Sequence, residues 1–328
     1  MNNQKKRHLI SLEGLSGEDI LQIAARGLSY AKGALKEVRP LEGLIVGIYF
    51  RKTSTRTRTS FSVAALRLGA NIISYGPNDL QENTGEAIQD TARVLSAMLN
   101  GLVARTAGSR QEMEILAQQG SMGVINAMSE DEHPTQALAD LTTILQHFGT
   151  VSGLRLLYMG EGNNTATALA LSLTRFAGNQ LIFCTPPGYE IPRETMDKAK
   201  MYALANGASI QEQHHLNAMP GEFDIVYTTR WETTGTVKKD VNWKELFIPF
   251  RVTRALMEKY SDAIFMHDLP AHRGEEVEAE VLDGPRSIAF RQAENKLHSA
   301  CAVLEWCLRP TFFYDRESGR VDLQISEK

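Results

Sequence analysis

Hydroxyl and guanidinium side chains are concentrated in one stretch, Tyr49 to Phe61, with the sequence YFRKTSTRTRTSF. Donors that match phosphate oxygens come from Ser54, Thr55, Thr57, Arg56 and Arg58. An apolar run precedes the stretch and helically spaced apolar residues follow it, so it forms a strand-to-helix turn. Backbone N–H groups and the positive end of the helix dipole meet at such a turn and favour an anion. We therefore predict a phosphate site. The alternative is a capped, basic helix start on the surface.

Polar side chains also stand where three other predicted strands end. Arg105 follows one strand, His133 begins a helix after the next with Gln136 in its first turn, and Asp268 follows a strand near the C-terminus. Because ligands bind at the carboxyl ends of parallel strands, we expect these side chains to share a site. Singly, each has an ordinary structural explanation: Arg105 as an ion-pair partner, His133 as a helix cap and Gln136 as a surface residue.

Apolar strand-like runs alternate with amphipathic helices along most of the chain, which predicts parallel sheets flanked by helices. The first set of predicted strands is 44–50, 71–75, 102–104 and 124–126. The second set is 154–159, 181–184, 225–227, 263–266 and 288–290, followed by a long helix over 292–308. We predict a first domain over 1–149, a second over 150–290, a C-terminal helix over 291–308 and a polar tail over 309–328.

The composition is ordinary for a globular protein, with 43% hydrophobic and 23% charged residues among 328. A formal charge of -4 gives no electrostatic footprint for nucleic acid or an anionic membrane. The basic N-terminus lacks the apolar run of a signal peptide, and no segment approaches the roughly 20 apolar residues of a membrane span. Cys184, Cys301 and Cys307 show no metal-ligand pattern. We expect a cytoplasmic protein with reduced thiols, no metal, no nucleic-acid partner and no membrane partner.

Gly160 and Gly162 follow a predicted strand and begin a dinucleotide-binding fingerprint, but Thr165 occupies the position of its third glycine. A partial match of this kind is weak evidence. We therefore expect no cofactor, and a nucleotide-dependent dehydrogenase is a remote alternative.

Together these segments resemble the aspartate/ornithine carbamoyltransferase family. Ser54-Thr55-Arg56-Thr57-Arg58 matches its carbamoyl-phosphate loop, His133-Pro134-Thr135-Gln136 matches its second motif, and His267-Asp268-Leu269-Pro270 is close to its third. Three spaced motifs are far more specific than any one of them, and the similarity covers roughly residues 8 to 308. The resemblance implies an α/β protein of two similar-sized domains, with the C-terminal helix packing back on the first.

The resemblance implies transfer of the carbamoyl group of carbamoyl phosphate to an amine, with release of phosphate. Family residues matching Thr57, Arg105 and His133 point at the carbamoyl oxygen, where negative charge develops as the amine attacks. Gln136 and the Leu269 carbonyl would bind the carbamoyl nitrogen, and the Leu269-Pro270 bond is cis in relatives. The expected catalytic residues are Thr57, Arg105, His133 and Gln136. The expected carbamoyl-phosphate ligands are Ser54, Thr55, Arg56, Thr57, Gln81, Arg105, His133, Gln136, Leu269 and Lys296.

The acceptor side departs from the ornithine enzymes, which carry Asp-x-Trp-x-Ser-Met-Gly where this chain has residues 229–235, TRWETTG. Thr229 replaces the acid that grips the α-amine of ornithine, and Asp268 replaces a cysteine of the third motif. Arg230 is similar to an arginine with which aspartate enzymes bind a substrate carboxylate. The expected acceptor ligands are Asn164, Thr229, Arg230, Thr233, Thr234 and Asp268.

An amino acid still fits these residues, because Arg230 could pair with its carboxylate and Asp268 or Glu232 with an ammonium group. We expect the acceptor to be ornithine or an ornithine-like diamino acid such as 2,3-diaminopropionate. The alternative for Arg230 is a structural ion pair with Glu232. The alternative for the whole chain is a non-catalytic regulatory homologue that binds carbamoyl phosphate or another anion.

Two further positions bear on the donor side. Lys296 stands where ornithine enzymes have arginine, so a bidentate contact becomes a point charge. Gln81 matches a residue that relatives lend to the site of a neighbouring subunit. The resemblance therefore implies a homotrimer with active sites shared between subunits.

Overall fold

A computed structural model describes residues 6–35, 38–216, 219–232, 238 and 241–313. Two of the expected acceptor ligands, Thr233 and Thr234, lie outside these residues, as do residues 314–328 of the predicted tail. The described start of that tail forms a short helix over Pro310–Phe313. No helix in the described part of the chain is both long and apolar enough to cross a membrane.

The first half of the chain forms a four-stranded sheet from β1 (Ile45–Phe50), β2 (Asn71–Tyr75), β3 (Gly101–Arg105) and β4 (Gly123–Met128). All strands are parallel, in the order β2-β1-β3-β4. The helices of this half are α1 (Gly17–Ala31), α2 (Thr55–Arg67), α3 (Ile88–Met98), α4 (Arg110–Ala117) and α5 (Pro134–Phe148). Strands β3 and β4 are buried along their whole length, because helices cover both faces of the sheet.

The second half forms a five-stranded sheet from β5 (Arg155–Met159), β6 (Gln180–Cys184), β7 (Ser209–Gln213), β8 (Ile225–Thr228) and β9 (Ile264–His267). These strands are also all parallel, in the order β7-β6-β5-β8-β9. Its helices are α6 (Asn164–Leu173), α7 (Arg193–Asn206), α8 (Trp243–Phe247), α9 (Arg254–Lys259) and α10 (Ala279–Leu282), followed by α11 (Ala289–Leu308) and α12 (Pro310–Phe313).

Helix α11 returns to the first half, where it packs against α1, α2 and α5. A buried ion pair between Arg26 of α1 and Glu305 of α11 joins these helices, and the Tyr30 hydroxyl donates to the same carboxylate at 2.8 Å. The fold class is therefore confirmed. Each half of the chain forms one unit, a parallel sheet flanked by helices, and the C-terminal helix α11 packs on the first unit.

The structure differs from the prediction at two elements. The strand predicted over 288–290 is wrong: Ile288 is the N-cap of α11, and only Ser287 makes an isolated bridge, to Phe265 of β9. A short apolar run fits a strand and a buried helix start equally well. Strand β7 was not predicted, because its sequence SIQEQ is polar, as suits the edge of a sheet.

The strand order reverses once in each sheet, between β1 and β3 in the first and between β5 and β8 in the second. Connections on the two sides of such a point run to opposite faces of the sheet, which opens a crevice at the carboxyl ends of the strands. The turn that follows β1 and the side chain of Arg105 at the end of β3 occupy the first crevice. The turns that follow β5 and β8 occupy the second.

Candidate active site

A cavity of about 490 Å³ lies where the carboxyl ends of the two sheets meet. The residues expected to bind or act at the site line it wherever the structure describes them, except Arg58 and Gln81. The lining of the first unit comes from the β1–α2 turn, the end of β3 and the start of α5, as Ser54, Thr55, Arg56, Thr57, Arg105, His133 and Gln136. The second unit and α11 add Asn164, Thr229, Arg230, Asp268, Leu269 and Lys296.

Ser54 is the N-cap residue of α2, yet its hydroxyl makes no capping hydrogen bond. It instead accepts a long hydrogen bond of 3.4 Å from Arg105 Nη1. The first backbone N–H groups of α2 therefore face the cavity together with the hydroxyls of Thr55 and Thr57. This arrangement offers several donors to an anion at the positive end of a helix dipole.

Arg105 is buried, and its Nε has no hydrogen-bond partner among the described residues. Burial lowers the pKa of Arg105 to about 10, with Arg56 adding to this effect and Asp268 opposing it. Burial likewise lowers the pKa of Arg56. Both guanidinium groups remain charged at neutral pH. A buried, charged donor without a partner is costly, so this site favours an anionic ligand.

Two residues from the sequence analysis lie outside the cavity. Arg58 points to the neighbouring strand β2, where its Nη2 donates to Ser74 Oγ at 2.7 Å, so the expectation that it faces phosphate is wrong for this chain alone. Gln81 begins an exposed 3₁₀ turn, Gln81–Thr84, away from the cavity of its own chain. Its side-chain oxygen accepts a hydrogen bond of 2.8 Å from Thr84.

His133 is the N-cap residue of α5, and Pro134 occupies the first helical position. Burial, together with the nearby charges of Lys296 and Arg105, holds the pKa of His133 well below its usual range, so the ring is neutral. Its Nδ1 lies 3.3 Å from the Thr135 hydroxyl. If that hydroxyl donates, the ring proton stays on Nε2, which is then available as a neutral donor.

Lys296 reaches the cavity from α11 and donates a hydrogen bond to Gln136 Oε1. The other end of the same amide, Nε2, donates to Asp140 Oδ1 at 2.8 Å. Burial lowers the pKa of Lys296 to about 8, although Asp268 and Asp140 oppose the shift. The cavity therefore contains a lysine that binds as a point charge beside a fixed amide oxygen.

Asp268 is held between two hydroxyl groups on the acceptor side. Thr165 Oγ1 donates to Asp268 Oδ2 at 2.9 Å, and Thr229 Oγ1 donates to Asp268 Oδ1 at 2.8 Å. The next residue, Leu269, has a left-handed φ of 55°, which is uncommon for a branched side chain, and the Leu269-Pro270 peptide bond is cis. The resemblance implied this cis bond.

Arg230 and Asn164 already have partners within the chain. The Nε of Arg230 donates to the backbone carbonyl of Glu232, so the structure does not show the alternative ion pair with the Glu232 carboxylate in the described residues. Asn164 Nδ2 donates to the Ser129 carbonyl at 2.9 Å, and the Asn164 carbonyl accepts from the His133 N–H at 3.1 Å. Asn164 thus ties the start of α6 to the start of α5.

Sequence reasoning missed two residues: Thr165, which lines the cavity, and Asp140, which accepts a hydrogen bond from Gln136. Thr165 had a usable signal, because it is a hydroxyl in a strand-to-helix turn like those of Ser54 and Thr55. Asp140 had none beyond its place one helical turn after Gln136, since its importance depends on partners more than 80 positions away.

Sequence models of the family match both halves of the chain. "Aspartate/ornithine carbamoyltransferase, carbamoyl-P binding domain" matches residues 7–146, and "Aspartate/ornithine carbamoyltransferase, Asp/Orn binding domain" matches residues 152–307.

Individual proteins are similar over nearly the whole chain. An ornithine carbamoyltransferase of Symbiobacterium thermophilum is 40% identical over 309 residues, which are 93% of this chain and 98% of the relative. One of Thermococcus kodakarensis is 41% identical over 82% of this chain and 85% of its own. The solved structure of ornithine carbamoyltransferase from Pyrococcus furiosus has a TM-score of 0.86 and 37% identity, covering 93% of this chain and 97% of that one.

Proposed function

The chain belongs to the aspartate/ornithine carbamoyltransferase family and is a carbamoyltransferase, and from this premise we propose that its acceptor is a diamino acid shorter than ornithine. The observation that carries the proposal is the position of Asp268. Its carboxylate lies in the cavity beside the hydroxyl of Thr229, the position at which ornithine enzymes carry their own acid.

The phosphate of carbamoyl phosphate binds at the start of α2. The hydroxyls of Ser54, Thr55 and Thr57 and the backbone N–H groups of that turn supply neutral donors, while Arg56 supplies a charged fork. A dianion there also compensates the unpartnered charge of Arg105. These contacts hold the phosphate as it departs and orient the carbamoyl carbon toward the second unit.

The carbamoyl oxygen gains negative charge when the amine attacks the carbon. Arg105, neutral His133 and the Thr57 hydroxyl are the donors proposed to stabilise this charge. Their burial strengthens the interaction, because little water competes inside the cavity. The carbamoyl nitrogen donates to the Gln136 amide oxygen and the Leu269 carbonyl, while Lys296 holds the amide oxygen in place.

Asp268 binds the ammonium of the acceptor and Arg230 binds its carboxylate. The Asp268 carboxylate oxygen is 2.8 Å from the Thr229 hydroxyl. Asp268 directly precedes Leu269, and the Leu269 carbonyl is the group proposed to bind the carbamoyl nitrogen. An acid at position 268 therefore places the acceptor ammonium beside the residue proposed to hold the carbamoyl nitrogen, and so nearer to the reacting carbon than an acid at position 229 would. An extended chain advances about 1.2 Å per bond, so two fewer methylenes shorten a diamino acid by about 2.5 Å. A nearer ammonium site therefore favours 2,3-diaminopropionate over ornithine.

The remaining amine attacks as its free base, and the departing phosphate can receive its proton. The products are a ureido amino acid and inorganic phosphate.

Gln81 contributes to the site of a neighbouring chain in a homotrimer. The exposed position of Gln81 and the exposed apolar side chains of β2 and α3, namely Ile73, Val94 and Met98, support this association.

The test is the formation of ureido product from carbamoyl phosphate with acceptors that differ by one methylene at a time. The series is 2,3-diaminopropionate, 2,4-diaminobutyrate, ornithine and lysine, with 1,4-diaminobutane as the matched acceptor that lacks a carboxylate. We expect kcat/KM to be at least about 10-fold higher for 2,3-diaminopropionate than for ornithine, the effect of a one- or two-methylene misfit. Efficient turnover of ornithine alone would overturn the proposed acceptor. Binding of carbamoyl phosphate without product from any amine would favour the regulatory alternative.

A further inference from the structure

Asp140 is a fully buried carboxylate beneath the cavity, one helical turn after Gln136 on α5. Three donors surround it: Gln136 Nε2 at 2.8 Å, Gln292 Nε2 at 2.7 Å and the Tyr227 hydroxyl at 3.0 Å. These groups come from α5, α11 and β8. Each of them provides a hydrogen, so all three contacts use the carboxylate oxygens as acceptors. Burial raises the pKa of Asp140 to about 7, while the bonds from Gln136 and Gln292 and the charge of Lys296 oppose the rise, so the carboxylate is ionised above neutral pH.

The carboxylate decides which end of the Gln136 amide is left for the cavity. The nitrogen of the amide is used by Asp140, and the oxygen faces Lys296, which itself lines the cavity. The reversed amide would place its oxygen against the carboxylate and its nitrogen against the ammonium group. Both contacts would be repulsive in a buried site, so only one orientation is stable.

A second branch runs from Asp140 to the end of β9. Gln292 is oriented in the same way: its nitrogen donates to Asp140, and its oxygen accepts the His267 N–H at 2.9 Å. The ring of His267 is also fully buried, and its Nδ1 accepts the Leu269 N–H at 2.8 Å. Asp140 is thus connected to the peptide of Leu269 through two side chains.

We propose that Asp140 is a positioning residue that makes the site select a carbamoyl group over an acyl group. It sets the Gln136 oxygen directly and the Leu269 carbonyl through Gln292 and His267. The inference rests on the proposed function, in which these two oxygens accept hydrogen bonds from the carbamoyl nitrogen. A methyl ketone of the same shape donates no hydrogen to either oxygen: it leaves the Leu269 carbonyl without this bond and the Gln136 oxygen with the bond from Lys296 alone, and such a site binds it more weakly.

The experiment compares two phosphonates that differ only in this group. Phosphonoacetamide carries the amide, acetonylphosphonate carries a methyl group in place of the amide nitrogen, and inorganic phosphate reports on the α2 site alone. Titration calorimetry gives the dissociation constant of each. We expect the wild type to bind the amide about 10- to 100-fold more tightly than the ketone. In Asp140→Leu, which removes the oxygen that accepts from both glutamines, this preference falls below about 3-fold, while phosphate affinity stays within about 2-fold.

Asp140→Asn is the matched control, because its amide oxygen can still accept hydrogen bonds from both glutamines. It should keep the preference within about 2-fold of the wild-type value. If Asp140→Leu does not fold, Gln292→Leu decides: it removes the branch to His267 and one donor to Asp140, leaves Gln136 bound to Asp140, and should reduce the preference about 3- to 10-fold.

The outcomes separate the two proposals. A full amide preference in Asp140→Leu, or in Gln292→Leu when that variant decides, overturns the positioning role and leaves the proposed function standing. A wild type that does not distinguish amide from ketone overturns the proposed arrangement of the carbamoyl group, and the role of Asp140 with it.

Discussion

The Thr229 hydroxyl donates a hydrogen bond of 2.8 Å to Asp268 Oδ1 and so joins the ends of β8 and β9 on the acceptor side of the cavity. Thr165 donates to the other carboxylate oxygen at 2.9 Å from the first turn of α6. Two strand ends of the second sheet and the start of α6 therefore fix the direction of one negative charge. This charge acts on three cationic groups of the cavity, because Asp268 opposes the fall in the pKa of Arg56, Arg105 and Lys296.

Asp268→Asn keeps the shape of this side chain and removes its charge. We expect kcat/KM for the diamino acid to fall by about 10²-fold, because the acceptor ammonium loses a charge-assisted bond of about 1.5–3 kcal/mol and its orientation. Steady-state kinetics with saturating carbamoyl phosphate measure this. Glu232→Gln is the matched control, since it removes another carboxylate that lines the cavity. A larger loss in Glu232→Gln than in Asp268→Asn would assign the ammonium to Glu232.

The double variant Thr229→Asp with Asp268→Cys returns the acid to the place it has in ornithine enzymes. We expect the ratio of kcat/KM for ornithine over 2,3-diaminopropionate to rise by at least about 10-fold relative to the wild type. Each single variant should raise this ratio less. Thr229→Asp alone leaves two carboxylates side by side, and Asp268→Cys alone leaves neither of these positions with a carboxylate. An unchanged ratio in the double variant would show that the acid does not set the acceptor length.

Arg56 and Arg58 provide a direct test of the phosphate site, because they lie two residues apart on α2 and point in different directions. Arg56→Ala should weaken carbamoyl-phosphate binding by about 10²-fold or more, since a charge-assisted fork is lost. Arg58→Ala should change the affinity for carbamoyl phosphate less than about 3-fold. Arg58 donates to the hydroxyl of exposed Ser74, and the interactions of charged groups at the surface are weak because water and salt screen them. Equilibrium titration with carbamoyl phosphate compares the two. Equal losses would place the phosphate elsewhere or bring Arg58 into the site through another chain.

The strand ends were predictable from the sequence because parallel strands are continuous apolar runs followed at once by polar residues. That pattern placed Ser54, Arg105, His133 and Asp268 at the ends of β1, β3, β4 and β9, and the topology brings all four to one cavity. The direction of a side chain within a turn is not encoded in the same way. Arg56 and Arg58 have the same chemistry, and only their places around α2 separate them.

The support beneath the site could not be predicted from local pattern. Asp140, Tyr227 and Gln292 are distant in sequence, and each alone is an ordinary polar residue in a helix or strand. Their role appears only when α5, β8 and α11 pack together and leave one carboxylate with three donors. Likewise, Ile288 and Ala289 could either form a strand beside β9 or begin α11. Tertiary packing decides between these two outcomes.

Arg105→Ala tests the donors to the carbamoyl oxygen. We expect kcat to fall by about 10²- to 10³-fold, the usual effect of losing one donor to a developing oxyanion. The KM for carbamoyl phosphate should rise much less than in Arg56→Ala, because Arg105 acts mainly in the transition state. Arg105→Lys keeps the charge without the fork and should recover only part of the rate. A rise in KM with unchanged kcat would instead make Arg105 a ground-state ligand.

Glu132, outside the cavity, should give the protein a characteristic pH dependence of stability. Its side chain is buried, and Oε1 accepts the Leu12 N–H at 2.8 Å. Burial raises the pKa of Glu132 from its ordinary value near 4.5 to about 7, although the bonds from Ser11 and Leu12 oppose this. The folded state thus holds a proton that the unfolded state releases between these values. Stability contributed by this group is present at low pH and is lost as pH rises through 7.

Glu132→Gln keeps the acceptor for Leu12 and cannot ionise. Its free energy of unfolding, measured by urea titration between pH 5 and pH 8, should increase relative to that of the wild type as pH rises. The difference should grow by at most about 1.4 kcal/mol per pH unit and level off above pH 7. Glu130→Gln, an exposed neighbour, is the control and should follow the wild type at every pH. Parallel curves for the wild type and Glu132→Gln would mean that the folded state keeps this carboxylate ionised, which would require a stronger cationic partner than the structure provides.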